Sequence, residues 1–513
     1  METKKAGRII SVLVFIFFFI QYAGLQESSA RSPQGVLREA FHYAPSADWL
    51  DPATCGFTIS AHLTMYLLHD ALVKPMPQGT YTPCLAESFK MSEDSKVCEF
   101  KLRKGVKFHN GDTMTAEDVI FSMQRYKAAH AKTIHGKIDK LEAPDPYTVR
   151  IRFKEPFPDF LEYLVPGVSS MAWVVPQKYV EKVGDAGFKK HPVGAGPYKF
   201  VEFKPGVRLV AEAFEEYWRK VPSIKRIEII TVRDMATRLA MLRRGEVDVA
   251  IFLSGIYYKD AKKDKNIKLL LPLSPTQWVI FFTSQWDPKS PWSTPKVRKA
   301  ASLAIDRQTI ADVHMPGCSG IGGLGLEGDP NRVIFPVDPY DPGKAKKLLA
   351  EAGYPNGFHG GTFYPFEGAY WPYGEMVANY WKAVGITVDT KLLDRPAWIS
   401  HRQAGKMKGG IFIDPSTAPS IAGRLSYLFT VGNYGNYPDI EELWNQYQKE
   451  TKLAVRKDLI SRIQKLVHEK TMWIPVTATN SPQAFNPKVK GFPYGIQPLI
   501  WFPAPFEDIE YEK

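Results

Sequence analysis

The segment "ATRLAMLRRGEVDVAIF", residues 236–252, changes its hydrophobic pattern part-way along and so decides the fold class. Its first half has the composition of a helix, and Val247 to Phe252 form an apolar strand. Gly245 separates the two, and glycine just past a helix supplies the left-handed backbone conformation that ends it. The segment therefore predicts a helix, a glycine stop and a strand in close succession.

Two further segments repeat this helical pattern. "GEMVANYWKAVGITVDTKLL" (374–393) has the same helix and strand on either side of Gly385. In "YDPGKAKKLLAEAGYPNG" (340–357), Asp341 can cap a helix that Gly353 ends. Its apolar residues recur at helical spacing: Ala345, Leu348, Leu349, Ala352. Helices that lead into strands at short intervals predict an α/β fold with helices on the faces of its sheets.

A different pattern fills residues 75–190, which predict a β-rich insertion. "SKVCEFKLRKGVKF" (95–108) alternates apolar and polar residues, and so does "YTVRIRF" (147–153). Alternation with period two is typical of strands that are buried on one face. The 513 residues are enough for about three domains.

The first thirty residues have the organisation of a secretory signal peptide. Three basic residues precede an apolar run from Ile9 to Ile20, and small residues follow up to Ala30. The alternative, an N-terminal membrane anchor, requires about 20 apolar residues, and this run has only 12. We therefore predict cleavage near Ala30 and an exported, soluble, periplasmic protein.

The chain is basic, with 66 Lys and Arg against 54 Asp and Glu and a net charge of +12. Such an excess can indicate nucleic-acid or anionic-membrane binding. The lysines are dispersed, however, and acids interrupt their longest cluster, "KDAKKDK" at 259–265. A solvated cationic surface is the favoured interpretation, without a nucleic-acid partner.

Four cysteines occur in the chain: Cys55, Cys84, Cys98, Cys318. An oxidising compartment permits one or two disulfides. Cys84 and Cys98 are the favoured pair because they flank a predicted hairpin. A hairpin centred on "SEDS" (92–95) would not place them directly opposite each other, so the spacing leaves the pairing open.

One short segment, "KFHNGDTMTAEDVIFSMQRY" (107–126), holds a histidine and three carboxylates within ten positions: His109, Asp112, Glu117, Asp118. Such a cluster suggests a metal or acid–base site. Thr115 and Asp118 also fit the capping-box pattern, and acids are favourable in the first turn of a helix. Asn110-Gly111 is a turn signal. We therefore predict a strand, a turn and a capped helix here, and no metal site.

Common enzyme signatures are absent from the sequence. "GIGGLG" (320–325) satisfies the dinucleotide pattern, but it lacks the preceding strand and the following helix that the fingerprint requires. "GAGPYKF" (194–200) lacks the lysine and serine of a phosphate-binding loop. The chain contains no G-x-S-x-G, HExxH or CxxC motif. These observations favour a protein that is not an enzyme and uses no cofactor.

Nine segments, taken in order, resemble one family, the extracellular solute-binding proteins of family 5, which serve peptide- and nickel-type ABC importers. They are "WLDPATCG" (49–56), "LLHDALV" (67–73), "PCLAESFKMSEDSKVCEFKLRKGVKFHNGDTMTAEDVIFSMQR" (83–125), "GAGPYKFVEFKPG" (194–206), "RLAMLRRGEVDVA" (238–250), "VRKAASLAIDRQTI" (297–310), "YDPGKAKKLLAEAGYPNG" (340–357), "NYGNYPDIEELW" (433–444) and "WIPV" (473–476).

The resemblance implies a two-lobed, periplasmic-binding-protein type II clamshell with an extra β-rich domain. Its expected parts follow: a signal peptide at 1–30; lobe I at 31–74, 192–272 and 476–513; the β-rich domain at 75–191; lobe II at 273–475. It also implies a monomer that delivers a solute to an ABC permease driven by ATPase subunits.

Two segments depart from the family pattern and leave the ligand open. The glycine-rich segment 317–333 replaces the proline- and glycine-containing loop that usually precedes "YDP" in the family. Residues 409–425 lack the tryptophan-rich sequence associated with peptide binders. A di- or oligopeptide is the expected ligand, with a metal chelate or another organic solute as the alternative. A periplasmic hydrolase that uses paired carboxylates on the same scaffold is the less favoured alternative.

Six residues are candidates for the ligand site. Aromatic residues in loops can line a pocket, although core packing is the alternative for each of them. Asp414 occupies the position that, by resemblance, pairs with the amino terminus of a peptide, and its alternative role is a cap at the end of a strand. The full set is Thr54, Phe57, Trp278, Trp371, Tyr373, Asp414.

Overall fold

The computed structural model describes residues 32–55, 58–128, 130–166, 168–271, 276–314, 324, 328–365, 371–393, 395–416, 420–426, 429, 437–479, 482–495, 502 and 504–512. The predicted signal peptide, Phe57, Cys318 and nearly all of the "GIGGLG" loop lie outside these residues. Within them, no helix combines the length and the apolar character that a membrane span requires.

Seven strands form the first sheet, in the order β10-β11-β12-β1-β13-β20-β14. Its strands are β1 (Gln34–Phe41), β10 (Tyr198–Lys204), β11 (Arg208–Ala213), β12 (Ile224–Thr231), β13 (Val249–Ala250), β14 (Lys268–Leu270) and β20 (Gln483–Phe485). The central strand β1 runs parallel to both β12 and β13, and the remaining pairs are antiparallel.

A second sheet has five strands, in the order β17-β16-β18-β15-β19. They are β15 (Thr276–Phe282), β16 (Phe358–Tyr364), β17 (Ile386–Thr390), β18 (Ile411–Ser416) and β19 (Trp473–Thr479). Here β16 runs parallel to β17 and β18, whereas β15 is antiparallel to β18 and β19.

The third sheet is antiparallel, in the order β5-β6-β8-β7. Its strands are β5 (Ala86–Met91), β6 (Val97–Leu102), β7 (Ile138–Asp145) and β8 (Thr148–Phe153). Short pairs complete the β-structure: β2 (Asp70–Ala71) with β9 (Trp173–Val174), β3 (Val73–Met76) with β4 (Gly79–Pro83), and β21 (Val489–Lys490) with β22 (Glu510–Tyr511). All four strands of the third sheet lie within residues 75–190, where the sequence predicts strands.

The described helices cover both the sheets and the connections between them. They are α1 (Thr58–Ser60), α2 (Tyr66–Leu68), α3 (Ala116–Arg125), α4 (Ala131–Lys137), α5 (Gln177–Lys190), α6 (Met235–Arg243), α7 (Gly255–Lys263), α8 (Pro295–Leu303), α9 (Arg307–His314), α10 (Pro342–Glu351), α11 (Trp371–Ala383), α12 (Arg395–Gln403), α13 (Ile421–Ser426), α14 (Pro438–Lys449) and α15 (Leu453–Glu469).

The predicted helix ends are confirmed. Gly245, Gly353 and Gly385 all have positive φ, as glycine after a helix requires. The Asp341 carboxylate caps α10 by accepting a 2.8 Å hydrogen bond from the backbone N–H of Lys344. The strand after α6 is shorter than predicted, since only Val249–Ala250 pair as a strand.

The favoured disulfide is wrong. Cys84 and Cys98 are both free and buried. The Cys84 thiol instead lies 3.1 Å from a carboxylate oxygen of Asp70. Cys98 is paired across the hairpin with Met91, so the strand register directs Cys98 away from Cys84. Cys98 is instead part of the buried apolar core.

Residues 107–126 form the predicted turn and capped helix. Thr115 and Asp118 make a capping box at the start of α3, in which the Asp118 carboxylate accepts a 2.9 Å hydrogen bond from the Thr115 N–H. Gly111 adopts φ +90° in the turn. The Gly194 N–H donates a 3.3 Å hydrogen bond to Nδ1 of His109, and Nε2 of His109 donates a 2.9 Å hydrogen bond to the Gly196 carbonyl. Burial lowers the pKa of His109 to about 3, so its ring is neutral.

The two glycines of the "GAGP" segment lie against the backbone of Leu67 and Leu68. A Cβ on Gly194 would lie 2.0 Å from the carbonyl oxygen of Leu68, and one on Gly196 would lie 2.5 Å from that of Leu67. Only glycine permits such a close approach of two backbones. The segment therefore has a packing role. In the described part of the chain, no three His, Cys, Asp or Glu side chains are grouped so that they could hold a metal ion.

Candidate functional site

The chain passes between the seven-stranded and five-stranded sheets at two places. One connection runs from Leu270 to Thr276, and the other from Thr479 to Gln483. Both leave the seven-stranded sheet at the edge where the parallel strands β1, β12 and β13 end. Both also meet the five-stranded sheet at the edge where β16 and β18 end.

Ligands of open α/β sheets bind outside the carboxyl ends of parallel strands. Two such edges are joined here by connections of only a few residues, so the connections hold the two edges close to each other. This junction is the candidate site.

Aromatic side chains follow β1 and β13 at this edge. The ring centroid of His42 lies 3.8 Å from that of Tyr43 and 4.6 Å from that of Phe252. Phe252 has φ +54°, a conformation that is uncommon outside glycine. Its N–H donates to the side-chain oxygen of Gln483, which is the first residue after the second connection, at 3.2 Å. The strained residue is thus tied to the junction itself.

Arg238 of α6 holds the loops that follow β12 and β13 at this edge. It is fully buried on α6. Its guanidinium donates to the carbonyls of Ile251 and Phe252 after β13, at 3.0 and 2.9 Å. It also donates to the carbonyls of Val232 and Arg233 after β12, both at 2.8 Å. One side chain therefore sets the position of two strand ends.

The five-stranded sheet has two differently lined faces. On one face, Phe281 of β15 and Phe412 of β18 are register partners whose rings stack with their centroids 5.2 Å apart. Arg424 lies over Phe281 at 5.5 Å and Arg402 lies over Phe412 at 4.8 Å, both in cation–π geometry. Position 414 alternates with 412 along β18 and so belongs to this arginine-bearing face.

The opposite face carries Trp278. Its ring contacts Tyr373 of α11, with centroids 5.9 Å apart, and both side chains are buried. Farther along the same face, Phe282 packs with Trp292 and Trp381. Two predicted aromatics are therefore brought together, but on the other side of the sheet from position 414.

The other predicted residues have separate positions. Thr54 lies in a short turn and donates a 2.7 Å hydrogen bond to the Asp48 carbonyl. The backbone of Trp371 begins α11, and that of Asp414 lies in β18 opposite Val279. The side chains of Trp371 and Asp414 and the whole of Phe57 lie outside the described part. The binding roles of all six residues remain predictions.

Sequence reasoning missed the arginines that pack on the five-stranded sheet. Arg424 is buried on α13, and its Nη1 donates to the Pro415 carbonyl at 3.3 Å. Arg402 is buried on α12. A fully buried arginine such as Arg238 is rare, but no local pattern separates it from the exposed arginines that surround it. The available signal for Arg424 was its position ten residues after Asp414.

Comparisons with known proteins agree on one family. The model of the bacterial extracellular solute-binding proteins, family 5 Middle, matches residues 80–434. Heme-binding protein A of Haemophilus influenzae is 28% identical over 459 residues, which cover 80% of this chain and 82% of that protein. The glutathione-binding protein GsiB of Shigella boydii is 29% identical over 441 residues, with the same coverage of 80% and 82%.

The fold also matches solved structures. The ABC transporter-associated periplasmic binding protein DppA of Helicobacter pylori, in complex with the peptide STSA, superposes with a TM-score of 0.81 at 23% identity. The match covers 94% of this chain and 98% of that one. This likeness confirms the expected fold class, an α/β, two-lobed periplasmic-binding-protein clamshell.

Proposed function

The chain belongs to the bacterial extracellular solute-binding proteins of family 5, and we propose that its ligand is a di- or oligopeptide held at the junction of the two sheets. As a member of this family it is a solute-binding component of an ABC importer. It captures a small solute and delivers it to a membrane permease.

Arg424, which contacts the end of β18, supports the proposal for a peptide. A peptide has an amino group at one end and a carboxylate at the other. Asp414 would pair with the amino group, and the guanidinium of Arg424 would receive the carboxylate, since arginine matches a carboxylate in a two-pronged hydrogen bond. Positions 414 and 424 are linked through Pro415, whose carbonyl accepts from Arg424 at 3.3 Å. A relative at 29% identity is named for glutathione, which is itself a tripeptide.

A metal chelate is the second candidate, and it rests on a different observation. The relative at 28% identity is named for heme, a flat aromatic chelate with two carboxylates. The rings of His42, Tyr43 and Phe252 at the strand ends could stack on such a ligand, and arginines could bind its carboxylates.

We further propose the cellular context from the sequence. A signal peptide at residues 1–30, cleaved near Ala30, would export the chain to the periplasm. There it would act as a monomer, and its permease would be driven by ATPase subunits. It would bind its solute without transforming it, because solute-binding relatives and the absence of hydrolase motifs both favour a receptor over an enzyme.

Native mass spectrometry of protein purified from the periplasm without refolding tests the ligand class. An intact co-purified peptide is the expected result. Calorimetric titrations with glutathione, the tetrapeptide Ser-Thr-Ser-Ala and heme then separate the two candidates. Binding of heme alone would replace the peptide proposal, and steady product formation from a peptide library would contradict the receptor role.

Two variants assign the charged residues. Asp414→Asn and Arg424→Met should each weaken peptide binding by about tenfold or more, because each leaves a charged ligand end without its partner. Asp389→Asn is the matched control: Asp389 lies on β17 of the same sheet, and its side chain is 77% exposed. Unchanged affinity in Asp414→Asn would remove that residue from the site.

A further inference from the structure

A turn from the β-rich part of the chain contacts the helices that follow β18. The turn is a short 3-10 helix, Phe160–Leu164, preceded by Asp159. Its Tyr163 hydroxyl lies 2.6 Å from the Ser426 hydroxyl on α13. Its Glu162 carboxylate accepts a 2.5 Å hydrogen bond from Ser420, which directly precedes α13. Both ends of α13 are therefore bound by adjacent residues of one turn.

The start of the turn is fixed to α14 and α15. The Asp159 carboxylate forms an ion pair with Arg456 of α15 and accepts a 3.3 Å hydrogen bond from the Tyr447 hydroxyl of α14. The Arg456 guanidinium lies 4.0 Å from the centre of the Tyr447 ring. The ion pair between Asp159 and Arg456 is largely shielded from water, so it holds the turn more firmly than an exposed ion pair would.

The turn reaches the candidate site through α13. Ser420 lies between the end of β18 and Arg424, and its neighbour Ile421 donates its N–H to the Asp329 carboxylate at 2.5 Å. Arg424 then returns to the carbonyl of Pro415 in β18. A shift of Ser420 would therefore move both the strand end and the arginine.

We propose that the turn Asp159–Leu164 positions the end of β18 and Arg424 for ligand capture, with Glu162 and Tyr163 as positioning residues. The ligand part of this inference rests on the proposed function, whereas the coupling between the turn and α13 does not. It gives the β-rich part of the chain a role in binding, although the two connected sheets supply the junction itself.

Charge around Glu162 makes this coupling sensitive to pH. Burial and the nearby carboxylates of Asp159 and Asp329 raise the pKa of Glu162, hydrogen bonds from Ser420 and Tyr81 oppose the increase, and the resulting pKa is about 7. The other charged groups of this region act on those carboxylates: Arg456 and Lys137 on Asp159, and Arg332 on Asp329.

The direction of this pH dependence follows from the number of protons that the joined and separated forms bind. When the turn separates from α13, Glu162 becomes solvated and its pKa returns towards its ordinary value near 4.5. The joined form then binds the proton more tightly, so joining is favoured below pH 7 and weakens as the pH rises through 7. Between pH 6 and pH 8 the equilibrium should change by up to about tenfold.

Hydrogen exchange of the ligand-free protein tests the coupling directly. The amides of Ile421–Ser426 should lose protection, corrected for intrinsic exchange rates, by up to about tenfold from pH 6 to pH 8. Glu162→Gln keeps the shape and an accepting oxygen but cannot ionise, so its protection should not change with pH. Tyr163→Phe should lower the protection several-fold at both pH values. Glu181→Gln, at an exposed position of α5, should behave as the wild type.

Calorimetric titration with Ser-Thr-Ser-Ala provides the second readout. Wild-type affinity should be several-fold higher at pH 6 than at pH 8, and Glu162→Gln should remove this difference. Equal pH dependence of amide protection in the wild type and Glu162→Gln would overturn the proposal. Protection that follows Glu162 without any peptide binding would contradict the proposed ligand and leave the coupling of the turn to α13 established.

Discussion

Lys74 and Asp70 form an ion pair with a 2.6 Å N–O distance, and both side chains are inaccessible to solvent. Burial by itself would lower the pKa of Lys74, but the Asp70 carboxylate overcomes this effect and raises the pKa above its ordinary value. The second oxygen of Asp70 accepts from Tyr217 and Trp218, at 2.9 and 2.8 Å. A segment near the start of the fold is thereby fixed to one 147 residues later.

Substitution of Lys74 by Met should lower the free energy of unfolding by about 3–5 kcal/mol, because it leaves the Asp70 charge buried without its partner. Urea denaturation followed by tryptophan fluorescence measures the loss. Lys204→Met is the control, since Lys204 pairs with Glu202 on the surface and should change stability by less than about 0.5 kcal/mol. Equal losses in the two variants would show that burial does not matter.

His69 should make the protein sensitive to acid. It is fully buried, donates from Nε2 to the Leu50 carbonyl at 3.1 Å, and burial lowers its pKa to about 4. The unfolded chain, with a histidine pKa near 6.5, binds more protons between pH 6.5 and 4, so stability falls as the pH decreases through this window.

His69→Gln keeps a donor and cannot titrate. Between pH 7 and pH 4 the wild type should lose up to about 3 kcal/mol more than this variant, as measured by urea denaturation at each pH. Exposed His359→Gln should lose as much as the wild type. Parallel pH profiles for the wild type and His69→Gln would mean that His69 is not the group that titrates.

Gly194→Ala should destabilise the protein by about 3 kcal/mol or more, because its Cβ would lie 2.0 Å from the backbone oxygen of Leu68. The matched control is Gly136→Ala in α4, where a Cβ meets nothing within 4 Å. That substitution should stabilise the helix by about 0.5–1 kcal/mol. Thermal unfolding compares the two, and a neutral Gly194→Ala would refute the close backbone approach.

Arg238→Met should weaken both stability and peptide binding. It removes the donors to four carbonyls at the strand ends, and buried acceptors without partners cost about 1–3 kcal/mol each where water cannot replace the donor. A net loss of about 2–5 kcal/mol in urea denaturation is expected, with weaker binding of Ser-Thr-Ser-Ala. Arg243→Met on the same helix removes only exposed ion pairs and should leave both quantities nearly unchanged.

Local patterns were sufficient for the elements. The glycine stops after α6, α10 and α11, the Asp341 cap and the capping box of Thr115 and Asp118 all depend on residues within a few positions of one another. Such interactions are written in consecutive residues, and the structure contains each of them. The family resemblance added the two-lobed fold, because its nine segments are distributed from residue 49 to residue 476.

The disulfide prediction failed because strand register is not a local property. Cys84 precedes β5, whereas Cys98 lies within β6, where the register pairs it with Met91 at the far end of β5. Register depends on which side chains the sheet must bury, and that choice involves strands β5, β6 and β8 together. Spacing between two cysteines carries no such information.

The sequence by itself determined the helices, their ends, the strands of residues 75–190 and the family of this protein. Only the tertiary structure decided which side chains share the junction. Trp278 and position 414 fall on opposite faces because the strands β15 and β18 alternate in a fixed register. Glu162 meets Ser420 across 258 residues of sequence. Contacts of this kind depend on how whole sheets and helices pack against one another. That packing involves side chains from distant parts of the chain, so no short stretch of sequence specifies it.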